Sequence, residues 1–414
     1  MNTHKVAEVA RKISSVIAKA TTQQKNTVLH IMADKLGSQK KEILSANEED
    51  LNKARSSGVP ANLIKRLRFG EEKIDSRIRC LHKIEALPDP VGQTYRSECR
   101  PNGLKVARVR VPLGVILMIY ESRPHVTVNA GALCLKSGNA VLLRGGSEAR
   151  RCNAFLGGLW QESLVEANLP PEAIQVVSGS HDEINDLLQE DKYLDLVIPR
   201  GGKRLIESIS KKSRIPVIKH FAGICHVYID KGAKMDRAIK IALDSKCLMP
   251  EVCNAMETLL VSEDVSVNLP RIVEAFRKWG VTVKGCEKTQ AAILDIEPAT
   301  EEDWGTEYLD TIVSVRVVDG VDEAIGHINR YGSHHTDTIV TDSESRARKF
   351  VRQVDSAVVL INASTMFCDG EALGMGAEIG ISTDKFHARG PMGLEELTSY
   401  KFVVSGDGHV MGDW

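Results

Sequence analysis

Between Gly114 and His220 the chain alternates short apolar runs with helical stretches, and this alternation constrains the fold more than any other feature. Gly114 to Tyr120, Ala140 to Arg144, Ile174 to Ser178, Leu194 to Ile198 and Pro216 to His220 read as strands. Val126 to Lys136, Glu148 to Ala167, Asp182 to Glu190 and Lys203 to Lys211 read as the helices between them. Strand, crossover helix and parallel strand, repeated, build a doubly wound α/β domain. A second alternating unit runs from Cys225 to about Leu360. At 414 residues the chain is too long for one small core, and two or three domains are expected.

The flanks have a different pattern. Residues 1–85 are helical in character, with Val6, Val9, Ala10, Ile13 and Ile17 at helical spacing and a break at Gly58-Val59-Pro60. From Gly92 to Val111 the period changes to two, and Pro101-Asn102-Gly103 supplies a turn, so a polar hairpin is expected here as an arm for subunit contact. Glycines gather at Gly370, Gly374, Gly376, Gly380, Gly390 and Gly393, which reads as an ordered irregular loop. Leu397 to Ser405 reads as a strand able to pair with a partner subunit.

A net charge of −1 gives no whole-chain field that favours nucleic acid or an anionic membrane. Met1-Asn2-Thr3-His4-Lys5 lacks the apolar core of a signal peptide, and no apolar run approaches the ~18 residues of a membrane span, so a cytoplasmic protein is expected. Nine cysteines, scattered without CxxC or Cys/His ligand spacing, argue against both a disulfide framework and a metal site.

One of the nine stands apart. Pro250 stops any helix running through Lys246 to Val261, so Cys253 falls on a bend just before the apolar run Thr258-Leu259-Leu260-Val261, where a thiol can be held still and aimed. The first α/β unit also holds two unusual turns. Arg144-Gly145-Gly146-Ser147-Glu148 and Pro199-Arg200-Gly201-Gly202-Lys203 each put two glycines and an arginine where a strand hands over to a helix, the setting in which backbone N–H groups cradle phosphate. G-x-G-x-x-G is absent, which argues against a conventional dinucleotide fold.

Together these motifs resemble the gamma-glutamyl phosphate reductase family, a branch of the aldehyde dehydrogenase superfamily. The resemblance is carried by Tyr120-Glu121-Ser122-Arg123-Pro124, Leu143-Arg144-Gly145-Gly146, Ile198-Pro199-Arg200-Gly201-Gly202, Cys253-Asn254-Ala255-Met256-Glu257-Thr258 and His387-Ala388-Arg389-Gly390-Pro391, in that order over nearly the whole chain. It implies an aldehyde dehydrogenase-like fold: a cofactor-binding domain over 1–222 with the hairpin inserted at about 92–111, a catalytic domain over 223–362, and an anchor loop and oligomerisation tail over 363–414. It implies a homo-oligomer, dimer or tetramer, with functional coupling to a glutamate 5-kinase, and the second step of proline synthesis, in which NADPH reduces L-glutamyl 5-phosphate to L-glutamate 5-semialdehyde and phosphate leaves.

The resemblance also implies roles. Cys253 becomes the nucleophile that forms a thioester. Ser122 stands where related enzymes carry an oxyanion-hole Asn, and Glu307 where they hold the nicotinamide ribose. Arg144, Gly145, Gly146, Arg200, Gly201 and Gly202 become the NADP(H) turns. Arg123, Asn254, His387 and Arg389 are candidates for a substrate that carries phosphate and carboxylate. His220 falls where hydrolytic relatives place a water-activating Glu; it either helps to position phosphate or is structural. A hydrolytic semialdehyde dehydrogenase, a reductase of another acyl phosphate or acyl thioester, and a non-enzymatic scaffold remain as alternative readings.

Overall fold

The computed structural model of the protein describes residues 2–219 and 221–412, with Asn62 described by its backbone alone. Five helices open the chain: α1 (Thr3–Ile17), α2 (Thr22–Ser38), α3 (Lys40–Ser56), α4 (Ala61–Leu67) and α5 (Glu71–Ala86). The hairpin strands β1 (Thr94–Cys99) and β2 (Lys105–Pro112) follow. The first wound unit is β3 (Val115–Tyr120), α6 (Pro124–Lys136), β4 (Ala140–Gly145), α7 (Arg150–Glu166), β5 (Ile174–Val176), α8 (His181–Leu187), β6 (Leu196–Arg200) and α9 (Lys203–Lys212). Its sheet is parallel in the order β5-β4-β3-β6. Every residue of β3 is buried, as expected for a strand covered on both faces.

The expected strand over Pro216 to His220 does not form. Val217 makes a single parallel bridge to Val197, and Pro216 has no N–H with which to extend the ladder. His220 itself lies outside the described residues.

The second unit runs β7 (Cys225–Ile229), α10 (Met235–Cys247), β8 (Met256–Ser262), α11 (Leu269–Lys278), β9 (Thr282–Gly285), α12 (Glu287–Ala292), β10 (Glu297–Pro298), β11 (Ile312–Val318), α13 (Val321–Tyr331), β12 (Thr336–Val340), α14 (Glu344–Gln353) and β13 (Val358–Ile361). These strands form a seven-stranded sheet in the order β10-β9-β11-β8-β7-β12-β13.

Two short strands, β14 (Gly380–Ser382) and β15 (Gly390–Met392), pair with each other, and β16 (Thr398–Ser405) closes the chain. Within the chain β16 runs antiparallel to β2 from Thr398↔Pro112 to Ser405↔Lys105, so the last strand completes the chain's own hairpin. That sheet is polar on paper, yet Tyr95, Tyr400, Phe402 and Val404 are exposed on it. The segment after Ser364 also reaches back to the first unit: Ile379, Met392 and Leu397 share a core with Ile17, Leu29, Met118 and Trp160, and Asn139 Nδ2 donates to the Leu397 carbonyl at 2.8 Å.

Candidate active site

Strand order in the first sheet reverses at β3 and β6, since the chain steps outward through β4 and β5 and then returns to the far side of β3. A crevice beyond the carboxyl ends of such strands is the expected ligand site. The residues there are Glu121, Ser122 and Arg123 after β3, and Arg200, Gly201 and Gly202 at and after β6. Glu121 N–H donates to the Arg200 carbonyl at 3.0 Å, and Gly202 N–H donates to Glu121 Oε2 at 2.8 Å. The anion at the start of α9 is thus the chain's own Glu121, stabilised by the positive end of the helix.

At the other turn Glu148 does the same. Ser122 N–H donates to Glu148 Oε1 at 2.9 Å, and the Ser122 hydroxyl donates to the same oxygen. Ser122 is 1% exposed, with φ 34°. In this arrangement its hydroxyl is committed to Glu148 rather than offered to a reacting oxygen. The acidic residue that sequence places inside a helix lies instead in the short turn Ser147–Ala149, which lets it reach back.

Beside these contacts lies a cavity of about 570 Å³, lined by Arg144, Gly145, Gly146 and Arg150 on one side and by Ser178, Gly179 and Ser180 on the other. Arg144 Nη1 donates to the Gly145 carbonyl at 2.7 Å, which keeps its guanidinium at the mouth of the turn. A larger cavity, about 720 Å³, is lined by Leu248, Trp279 and Phe367 and includes neither glycine turn nor Cys253. The smaller one has the cations and backbone donors that a phosphorylated cofactor needs, so its residues fit a dinucleotide.

The thiol belongs to the second sheet and lies at the opposite ends of its strands. Gly223 precedes β7, Cys253 precedes β8, Glu307 precedes β11 and His335 precedes β12, so four adjacent elements converge from their amino ends. Gly223 packs against the Cys253 backbone so closely that a Cβ there would stand 1.7 Å from the Cys253 carbonyl oxygen; only glycine fits. Glu307 fixes this glycine by accepting its N–H on Oε1 at 2.7 Å, and burial pushes the Glu307 carboxyl up. Glu307 therefore sits against the backbone that supports Cys253.

Cys225 Sγ donates to the Cys253 carbonyl at 3.3 Å and lies 3.7 Å from His335 Nδ1. Burial holds the Cys225 thiol far above its ordinary range, so it stays protonated as a donor, and burial pushes His335 down to about 4. Cys253 is only partly buried. Of the two adjacent thiols, it is the one a substrate can reach.

Asn254 Nδ2 donates to the carbonyls of Thr365, Met366 and Cys368, each at 3.3 Å, so the residue after the thiol anchors the loop from the C-terminal segment. Two other candidates on that segment have structural partners. Arg389 Nη1 meets Asp355 Oδ1 at 2.9 Å, and His387 is exposed with its Nε2 on the Glu396 carbonyl at 2.9 Å. Neither touches the Cys253 loop among the described residues.

Electrostatics single out Arg123. It makes no ion pair among the described residues, yet burial and the charges of Arg200 and Arg66 push its guanidinium down to about 10, while Glu121 and Cys253 pull the other way. Burial, followed by the charges of Arg77, Arg123 and Lys73, pushes His125 down to about 3, so its ring is neutral. Arg66, Lys73 and Arg77 belong to the α4–α5 region, where sequence shows only ordinary charged helix faces. Like charges gathered around a half-buried guanidinium are unfavourable unless an anion joins them.

The sequence pattern of the aldehyde dehydrogenase family matches residues 1–295. Among solved structures, the gamma-glutamyl phosphate reductase of Thermotoga maritima is similar at 45% identity and TM-score 0.97, with 100% of each chain covered. That of Saccharomyces cerevisiae is similar at 30% identity and TM-score 0.55, again over 100% of each chain. At the level of fold alone, the glyceraldehyde-3-phosphate dehydrogenase GapN of Methanocaldococcus jannaschii, solved with NADP, matches at 15% identity and TM-score 0.67, with 98% of this chain and 94% of that chain covered.

Proposed function

Starting from the chain's membership of the aldehyde dehydrogenase family, and within it of the gamma-glutamyl phosphate reductases, we propose that this oxidoreductase reduces L-glutamyl 5-phosphate to L-glutamate 5-semialdehyde with NADPH. The observation that carries the reading is a reachable thiol at Cys253 beside the unpaired guanidinium of Arg123. A nucleophile next to surplus positive charge suits an acyl phosphate, whose leaving group is an anion.

The Cys253 thiolate attacks the acyl carbon, the C–O bond to phosphate breaks, and a thioester remains. The Cys253 backbone N–H is the natural donor to the oxyanion formed in this addition. Arg123 receives the departing phosphate. NADPH, when bound, supplies the hydride that reduces the thioester. Sulfur then leaves as thiolate and the aldehyde is released. Arg144, Gly145 and Gly146 would hold the phosphorylated ribose, and Arg200, Gly201 and Gly202 the pyrophosphate, with Glu121 moving aside. Glu307, fixed on Gly223, is our candidate for the nicotinamide ribose. Exposed Tyr95, Tyr400 and Phe402 on the terminal sheet support a homo-oligomer formed through that surface.

This is a phosphate-expelling site, so the reverse reaction will need phosphate as acyl acceptor. Glutamate semialdehyde with NADP should yield NADPH only after phosphate or arsenate is added. Sustained turnover without either oxyanion would make the protein a hydrolytic semialdehyde dehydrogenase.

A further inference from the structure

A small cavity of about 210 Å³ opens where α5, α6 and the glycine-rich segment after Cys368 meet, with Ser76, Arg77, Asn129, Asp369 and Glu378 in its walls. Three of these groups lack a full set of partners. Arg77 donates to Ser76 Oγ at 2.8 Å and makes no ion pair among the described residues. Glu378 accepts the Gly370 N–H on Oε2 at 3.0 Å and likewise makes no ion pair among them. Asn129 Oδ1 is buried with no hydrogen-bond partner among the described residues. Lys83 and Glu371, also in the wall, satisfy each other. Arg79 in the wall is exposed, and Asp369 accepts the N–H groups of Glu371 and Ala372 on Oδ1. Facing the cavity more deeply are the Arg77 guanidinium and the Glu378 carboxylate, without an ion pair among the described residues, and the orphaned Asn129 oxygen, an arrangement that is costly unless a ligand completes it.

The cavity is also connected to the thiol. Asn254, next to Cys253, holds the carbonyls of Thr365, Met366 and Cys368, and Asp369 of the cavity wall is the next residue along. The Cys368 thiol also lies within range of the charges of both Cys253 and Glu378, and only two methylene groups separate the reacting carbonyl of a glutamyl chain from its α-carbon, so the head group of a substrate on Cys253 has this segment within reach.

We propose that this cavity is the subsite for the amino-acid head group of the substrate, with Arg77 on the α-carboxylate and Glu378 and Asn129 Oδ1 on the α-ammonium. The proposal rests on the reductase reading above. Oppositely charged walls distinguish a zwitterionic head from a simple carboxylate or an alkyl chain. They also restrain chemistry in the product: a free amine on the α-carbon, two methylenes from the aldehyde carbon, can fold back and condense with it, losing water to form a five-membered cyclic imine. An ammonium held on Glu378 and Asn129 stays protonated and turned away until the aldehyde leaves.

The test compares two aldehydes in the reverse direction with NADP and phosphate: glutamate semialdehyde, and 5-oxopentanoate, which has the same chain without the amino group. The wild type should prefer glutamate semialdehyde, and Glu378→Gln and Asn129→Leu should each reduce the ratio of the two kcat/KM values by at least about 10-fold, the worth of one charge-assisted hydrogen bond. NADP binding by fluorescence reports whether each variant is folded. Arg77→Gln should raise KM for glutamate semialdehyde about 10-fold or more. A wild type with no preference, or folded variants that keep the wild-type ratio, would overturn the subsite. NADPH from neither aldehyde in the wild type would instead overturn the assigned reaction.

Discussion

The Lys246 ammonium and the Glu257 carboxylate, both 0% exposed, meet at 2.7 Å and tie the end of α10 to β8 across the loop that presents Cys253. Burial pushes the Glu257 carboxyl up to about 7 even with Lys246 beside it. Removing one member leaves the other charged or forces it to neutralise inside the protein. Lys246→Met should therefore cost about 3–5 kcal/mol of unfolding free energy, and Lys246→Met with Glu257→Leu should recover most of it. Urea titration of the two variants checks this. Equal losses in both would mean the pair is not what holds the loop.

Cys253→Ala should abolish turnover while NADP binding persists, because the contacts that Cys225 and Gly223 make with this residue are to its backbone. Cys134→Ala should remain active: Cys134 lies in the core, and burial keeps its thiol protonated. Single-turnover assays with both variants decide it, and an active Cys253→Ala enzyme would refute the assignment.

Arg144 lies at the end of β4 on the cavity proposed for the cofactor. A carboxylate there repels a 2′-phosphate and suits a free 2′-hydroxyl. Arg144→Glu should lower the NADPH-to-NADH ratio of kcat/KM by about 10- to 100-fold. A ratio near one in the wild type would argue against NADPH as the cofactor.

His327 is 4% exposed, and both its ring nitrogens lack partners among the described residues. Burial, with His226 and Arg316 nearby, pushes it down to about 2. Below an unfolded value near 6.5 the unfolded chain takes up a proton that the folded chain refuses, so stability is lost as pH falls through that value. This residue alone should cost about 1.4 kcal/mol between pH 7.5 and 5.5. His327→Leu should flatten that part of the stability profile, as followed by urea midpoints at each pH.

Much of this was legible in the residues, for reasons that differ by element. Apolar runs such as Val115–Tyr120 are read correctly because a strand buried on both faces leaves a continuous signature. Arg200-Gly201-Gly202 is legible because a glycine pair between strand and helix is a local pattern. The carboxylates that sit at those turns, Glu121 and Glu148, are not, since their orientation depends on a left-handed Ser122 and on a short turn that replaces the first turn of α7. Lys246 and Glu257 look like surface charges until β8 is placed against α10. Arg77, Asn129 and Glu378 come from three distant segments, so only the fold shows that they share a cavity.

The return of Ile379, Met392 and Leu397 to the core built around Met118 and Trp160 reverses the order in which the two halves can finish. All seven strands of the second sheet, and the two hydrophobic clusters on it, come from residues 225–361. That half can close as soon as its own sequence has left the ribosome. The first half, although made earlier, keeps an apolar gap until the last stretch of the chain arrives to fill it. A chain truncated after residue 362 and released should therefore protect the second sheet from amide exchange while the β3–β4 region still exchanges, and the first unit should close only when residues 379–397 are present.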